Sequence, residues 1–220
     1  MTPMDPIAHF VSDFPEKFGV PRQAGLVEEL VGRVVFEPRC RREEAVRGLK
    51  GFSHVWLLWR FSLSPDAWSP TVRPPRLGGN ERMGVFATRS PVRPNPIGLS
   101  CVRLLAVEPG PELVVAGGDL VDGTPVLDVK PYVPADCHPE ASHGFLARND
   151  DYRLEVVLPD HLARTVPQDR RAALVGVLAE DPRPAYQRDG REYGLTFGGV
   201  NVRFVVEGRT LEVVDVTPCD

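Results

Sequence analysis

Short apolar runs separated by polar, proline-rich stretches set the pattern of this chain. Residues 7–11, 31–36, 53–61, 99–107 and 112–116 are apolar or β-branched, and each run has the length of a strand. The run Met83–Thr88 has the same character and is expected as a further buried strand. Residues 53–61 (SHVWLLWRF) form the most apolar run and are expected at the centre of a sheet. Turn chemistry at Pro109-Gly110 joins 99–107 to 112–116 as a hairpin. Asp122-Gly123 is a second turn signal, and the strand behind it carries Asp128 and Lys130 on one face. Residues 39–52 predict a short helix ended near Gly48 or Gly51, and residues 153–158 predict one more strand.

Strands that follow one another without long helices argue for a barrel or sandwich and against a doubly wound sheet. No GxGxxG follows a first strand and no P-loop is present, which argues against nucleotide cradles of those two kinds. The stretch 159–167 reads as a boundary. Beyond it, Ala173, Leu174, Val177 and Leu178 fall at helical spacing, Pro182 stops the helix, and strands follow at 195–197, 200–206 and 211–216. The expectation is a mainly β chain, with an all-β domain over residues 1–160 and a small α+β domain over 161–220.

Composition narrows the setting. The apolar share, 42% of 220 residues, is enough for a substantial core. No apolar stretch approaches the roughly 18 residues of a membrane span. The N-terminus has neither the basic nor the apolar region of a secretion signal. The four cysteines, at 40, 101, 137 and 219, form no CxxC pair and read as reduced thiols of a cytoplasmic protein.

Charge changes the picture at one stretch, RMGVFATRSPVRPNPIGLS, residues 82–100. Pro91, Pro94 and Pro96 fix three φ angles within six residues and bias their predecessors to extended geometry. The result is a stiff loop carrying Arg89, Arg93, Asn95 and the hydroxyls of Thr88 and Ser90. Such a loop loses little entropy when a ligand arrives. Between residues 73 and 93, arginines 73, 76, 82, 89 and 93 stand against one acid, Glu81, in a chain of net charge -4. A local basic segment in an acidic protein points to a directed site for a carboxylate or phosphate. The bland alternative is a proline-stiffened surface turn with solvated arginines.

Three further segments carry candidate chemistry. Residues 12–26 form a long loop in which Arg22 and Gln23 follow Pro21, and Gln23 can both donate and accept as adenine recognition requires. Asp119 and Asp122 bracket Leu120 and Val121 near a strand end, where aspartates bind hydroxyls or ammonium groups, or simply cap a bend. Cys137, His138 and His143 have irregular spacing and no fourth ligand, so no zinc site is expected. His54, at the start of a strand, reads as structural.

The strings KFGVPRQAGL, GFSHVWLLWRF, ATRSPVRPNPIGLS, DLVDGTPVLDVKPYVP and EDPRPAY, in this order, resemble the TrmO family of tRNA methyltransferases over nearly the full length. The resemblance implies a single-sheeted β-barrel that uses S-adenosyl-L-methionine, a homodimer with the cofactor near the subunit interface, and no metal. It implies methylation of the exocyclic nitrogen of threonylcarbamoyladenosine beside the anticodon of tRNA for threonine. It assigns the cofactor to Arg22, Gln23, Ser62, Leu63, Arg89, Leu99, Asp119, Leu120, Val121 and Asp122. Ser62-Leu63 stands where many bacterial members carry His-Gln, so contacts there fall to the backbone. Arg183 and Tyr186 would face the modified anticodon loop, arginine through a phosphate or carboxylate and tyrosine by stacking. Arg93, with Asn95 beside it, would hold the carboxylate of the threonylcarbamoyl group. Asp122, Asp128, Tyr132 or water could take the proton.

Two other classes stay open. One is a non-catalytic RNA-binding barrel. The other is a small-molecule hydrolase using His54 or His143 with an aspartate, against which stands the lack of a nucleophile motif.

Overall fold

The structure, a computed structural model, describes residues 4–65, 67–74, 81–145, 152–183 and 189–219. In chain order the first strands are β1 (Ala8–Val11), β2 (Val31–Phe36), β3 (His54–Arg60), β4 (Thr71–Val72) and β5 (Met83–Gly84). They are followed by β6 (Ile97–Glu108), β7 (Glu112–Ala116) and β8 (Thr124–Pro131). Six of these close an antiparallel barrel in the order β1-β2-β7-β6-β3-β8, with β8 pairing back onto β1. Closure removes exposed strand edges. Side chains alternate along each strand, so Phe10, Val34, Leu57, Val102, Leu113 and Val126 point inward and are nearly fully buried. β4 and β5 form a separate two-stranded ribbon.

The remainder folds as β9 (Glu155–Val157), α1 (Asp160–Ala163), α2 (Arg171–Ala179), β10 (Glu192–Phe197), β11 (Val200–Glu207) and β12 (Thr210–Pro218). Its sheet runs β10-β11-β12-β9, antiparallel except where β9 lies parallel to β12. α2 buries Ala173, Leu174, Val177 and Leu178, the face expected from their spacing. They pack with Leu195, Phe197, Phe204 and Leu211 in a second core.

That second core also contains Phe14, Val27 and Leu30, from the long loop between β1 and β2. The Phe14 and Phe197 rings lie 5.1 Å apart. Asp13 accepts from Arg170 Nε at 2.8 Å, and its carbonyl accepts from Gly198 N–H at 2.9 Å. The same loop is tied to the barrel. Gly25 N–H donates to the Gly117 carbonyl at 2.9 Å, and Gly117 N–H donates to that of Leu30 at 2.8 Å. Gly117 sits at φ +75° with the Gly25 backbone 3.3 Å from where a Cβ would stand, so a side chain fails there twice over.

Three expectations are corrected. Residues 39–52 form no continuous helix but three 3₁₀ turns, Pro38–Cys40, Glu43–Val46 and Leu49–Gly51. Only Val46 is buried among them and Gly48 takes φ +86°, so no apolar stripe supports a helix and the chain reverses hand midway. The run 83–88 is a strand only at Met83–Gly84, and Val85–Ala87 is a 3₁₀ turn that buries Val85 while Phe86 is 76% exposed. The strand expected at 153–158 does form, at Glu155–Val157, but on the far side of the divide: β9 belongs to the second sheet, although it precedes residue 160.

Because Phe14 fills the second core from outside its own sheet, Phe14→Ala should cost about 3–5 kcal/mol in urea unfolding at pH 7. A cost below about 1 kcal/mol would show that the loop only rests on that core.

Candidate functional site

A cavity of about 1210 Å³ opens where the barrel rim meets the loop between β1 and β2. Three walls are visible in the chain. The first is Pro21, Arg22, Gln23 and Leu26. The second is the proline-stiffened stretch from Thr88 to Leu99. The third is the end of β3 with Arg60 to Ser64 beyond it. Asp119, Val121 and Thr124 close the floor with Trp59.

The loop before β6 is rigid for a reason the prolines only half explain. Thr88 Oγ1 donates to the Val85 carbonyl at 2.8 Å and accepts from Ser90 N–H at 3.3 Å, and Ser90 Oγ accepts from Val92 N–H at 3.3 Å. Both hydroxyls, expected as free ligand donors, cap their own loop instead. Arg93 Nη1 donates to the carbonyls of Thr88 at 3.3 Å and Ser90 at 3.5 Å, which folds the loop around its guanidinium. Of the five arginines in the basic segment, Arg73, Arg89 and Arg93 reach the cavity, Arg82 donates to Thr71 Oγ1, and Arg76 lies outside the described residues.

Ten residues singled out from the sequence meet around this cavity: Arg22, Gln23, Ser62, Leu63, Arg89, Arg93, Asn95, Leu99, Asp119 and Val121. They come from four separated segments, and barrel closure is what assembles them. Leu120 and Asp122 are not brought there. Leu120 is buried in the barrel core, and Asp122, at the turn before β8, accepts from Ser12 N–H at 3.0 Å. Asp128 pairs with Lys130 at 2.8 Å, and neither Asp128 nor Tyr132 is among the described residues that line the cavity. Ser62 and Leu63 do line it, and the Leu63 carbonyl accepts from Lys17 Nζ.

Arg183 is also absent from the cavity. It donates to Asp181 through Nε at 2.8 Å and Nη2 at 3.0 Å, and to Asp189 through Nη1 at 3.2 Å. Asp181 further accepts from Tyr152 OH at 3.2 Å, and its carbonyl accepts from Arg22 Nη2 at 3.3 Å. Burial alone would raise the Asp181 carboxyl, but the Arg183 hydrogen bonds and charge outweigh it and hold that carboxyl below its ordinary value. Tyr186 lies outside the described residues.

The sequence reading named Asp119 and Val121 on the floor but missed what holds it. Trp59 Nε1 donates to Ser100 Oγ at 2.9 Å, and Ser100 Oγ donates to Asp119 Oδ1 at 2.5 Å. Burial pushes the Asp119 carboxyl above its ordinary value, against the opposing pull of Ser100, two backbone N–H groups and Arg89. A signal was present. Ser100 is the one hydroxyl in the inward register of β6, next to Gly98 and Val102, and a lone buried polar group needs a partner. Among the described residues no cluster of His, Cys, Asp and Glu could hold a metal ion. Among them, too, no helix is long and apolar enough to cross a membrane.

Comparison with known proteins settles the kinship. The family model described as tRNA-methyltransferase O N-terminal domain matches residues 9–137, and the TrmO C-terminal domain matches residues 152–219. The chain belongs to the TrmO family. A tRNA (adenine(37)-N6)-methyltransferase of Escherichia coli is 42% identical over 222 residues, 94% of each chain. The crystal structure of TrmO from Pseudomonas aeruginosa superposes with a TM-score of 0.82 at 34% identity, covering 99% of this chain and 98% of that one. A protein of Pyrococcus abyssi described as a probable S-adenosyl-L-methionine-binding protein is 38% identical over 145 residues, 66% of this chain and 76% of its own. As the family resemblance implied, the fold is a single-sheeted closed barrel with a smaller α+β unit behind it.

The Arg183–Asp181 pair is nearly buried, at 9% and 11% side-chain exposure. Arg183→Ala should therefore cost about 3 kcal/mol in urea unfolding at pH 7. Because the Asp181 carboxyl is depressed, the pair contributes fully above the ordinary carboxylate range. Its contribution is lost as pH falls through the depressed value, so the penalty should shrink below about pH 4. A penalty that is small at pH 7 or that grows in acid would contradict the pairing.

Proposed function

We propose that this chain methylates the exocyclic nitrogen of adenine 37, carried as threonylcarbamoyladenosine beside the anticodon of tRNA for threonine, with S-adenosyl-L-methionine as donor. The observation that carries the reading is the gathering of ten separated residues around one cavity, in a chain whose relative in Escherichia coli, matched over 94% of each chain, is named a tRNA (adenine(37)-N6)-methyltransferase.

The cavity fits such a cofactor by its chemistry. A zwitterionic sulfonium nucleoside needs donors for a carboxylate, an acceptor for a cation, and a flat apolar surface. Arg22 and Arg89 supply the first, Asp119 the second, and the Phe61 ring, propped at 60° against Trp59 with centroids 4.2 Å apart, the third. Ser64 Oγ is buried at the wall without a partner among the described residues, as a group waiting for a ligand would be. When bound, S-adenosyl-L-methionine supplies an electrophilic methyl group. The contribution of the chain is to orient and to exclude water, the largest share of catalysis in an in-line transfer.

Gln23, Ser62, Leu63, Leu99 and Val121 line the cofactor's part of the cavity in this reading. Leu120 and Asp122 support it from behind. Arg93 and Asn95, at its basic edge, hold the carboxylate of the threonylcarbamoyl group. Arg183 and Tyr186 serve the anticodon loop in this reading, Arg183 from its place between Asp181 and Asp189. The exposed apolar side chains Leu63, Phe86, Ile97 and Leu99 crowd the same rim, and covering them by a second copy makes the protein a homodimer. A tRNA substrate and reduced cysteines suit the cytoplasm.

Incubation with tRNA that carries or lacks threonylcarbamoyl, followed by nucleoside mass spectrometry, tests this. The modified tRNA alone should gain one methyl group. Arg93→Ala should raise KM for modified tRNA at least tenfold, as loss of a charge-assisted hydrogen bond of about 1.5–3 kcal/mol implies, and by more than it raises KM for the cofactor, whose share comes from loosening the loop that Arg93 gathers. Methylation of unmodified tRNA, or equal losses for both substrates, would contradict the assignment.

A further inference from the structure

Among its described lining residues the cavity holds six cations, Lys17, Arg22, Arg60, Arg73, Arg89 and Arg93, and one acid, Asp119. Asp119 makes no ion pair with any of the described residues. Its side-chain partner is neutral, the Ser100 hydroxyl at 2.5 Å. Ser100 is 1% exposed, and its oxygen already accepts from Trp59 Nε1, so its own proton is directed to Asp119. Trp59 is fixed in turn. A Cβ on Gly98 would stand 2.2 Å from its ring, and Phe61 packs on it at 4.2 Å. The indole N–H, the hydroxyl and the carboxylate thus form a rigid relay from the barrel core to the cavity.

A carboxylate neutralised by arginine is spent. One held by neutral donors keeps its charge for a ligand. We propose that Ser100 and Trp59 are positioning residues that present Asp119 as an oriented anion to the positive charge of the bound cofactor. This rests on the cofactor reading above and deepens it. The relay works against burial, which pushes the Asp119 carboxyl upward. Removing a donor should make that carboxyl easier to protonate.

The groups that face Asp119 from the packed elements are Ser100 from β6, the backbone N–H of Ala24 from the first loop and Arg89 from the loop before β6. His143 also lines the cavity and carries an ionisable imidazole, so the comparison is repeated in a His143→Gln background.

Isothermal titration of the full chain, repeated from neutral pH into acid, tests the proposal with three ligands. S-adenosyl-L-methionine carries ammonium and sulfonium charges, S-adenosylhomocysteine carries the ammonium alone, and methylthioadenosine carries neither. Ser100→Ala should weaken the charged ligands about tenfold, as loss of a hydrogen bond to a charged group implies. It should also move the acid-side loss of binding to higher pH, while leaving methylthioadenosine unchanged. Trp59→Phe should shift the same midpoint in the same direction by less. A shift seen with both charged ligands assigns the ammonium, and one seen only with S-adenosyl-L-methionine assigns the sulfonium. An unmoved midpoint with equal losses for all three ligands would make Ser100 a packing residue. If Asp119→Asn weakens methylthioadenosine as much as the others, the carboxylate reads the ribose and the proposal falls. A wild type that binds none of the three overturns the cofactor reading itself.

Discussion

Burial of Phe14, Val27 and Leu30 in the second core is the constraint on which the rest of this molecule depends. These side chains belong, in sequence, to a connection between two barrel strands. Their backbone is hydrogen-bonded to the barrel through Gly25, Leu30 and Gly117, while their apolar surface is withdrawn from water by α2 and β10 to β12. Burying a Phe, a Val and a Leu is worth several kcal/mol, about 1.5–3 each. A long loop is thereby turned into a fixed wall. Arg22 and Gln23 ride on that wall, and the Asp181 carbonyl steadies Arg22 from the second unit. The smaller unit is therefore part of the architecture of the cavity.

The opposite wall is stiff by other means. Three prolines limit its backbone, two hydroxyls cap its N–H groups, and Arg93 gathers its carbonyls. Between two preorganised walls, six cations among the described lining residues face one carboxylate that is held from beneath by neutral donors. This distribution suits a ligand with both signs of charge. Diffuse affinity for nucleic acid would need a basic surface, and the chain carries a net charge of -4.

The barrel was largely legible in the sequence because its strands alternate cleanly and end at strong turn signals. Residues 31–36 and 112–116 agree with β2 and β7 to the residue. Errors arose where an apolar run did not mean a buried strand. Residues 83–88 look strand-like, yet their largest side chain, Phe86, faces outward at the cavity rim. Arg39–Phe52 failed as a helix because Val46 alone of its turns is buried and Gly48 adopts a left-handed conformation. The candidate site was legible where motif residues are polar and local. The support beneath its floor was not, since the contact of Trp59 with Ser100 spans 41 positions and exists only once β3 pairs with β6. Arg183 shows the converse: it was conspicuous as a free cation in sequence, and only folding reveals the aspartates that occupy it.

Amide hydrogen exchange of the full chain, with and without S-adenosylhomocysteine, tests the central claim that both walls and the floor form one ligand site. The account predicts slowed exchange in three separated segments together, around residues 22–26, 87–99 and 119–124. Protection confined to one of them would contradict it. So would protection at the groove between residues 25–29 and α2 instead of this cavity.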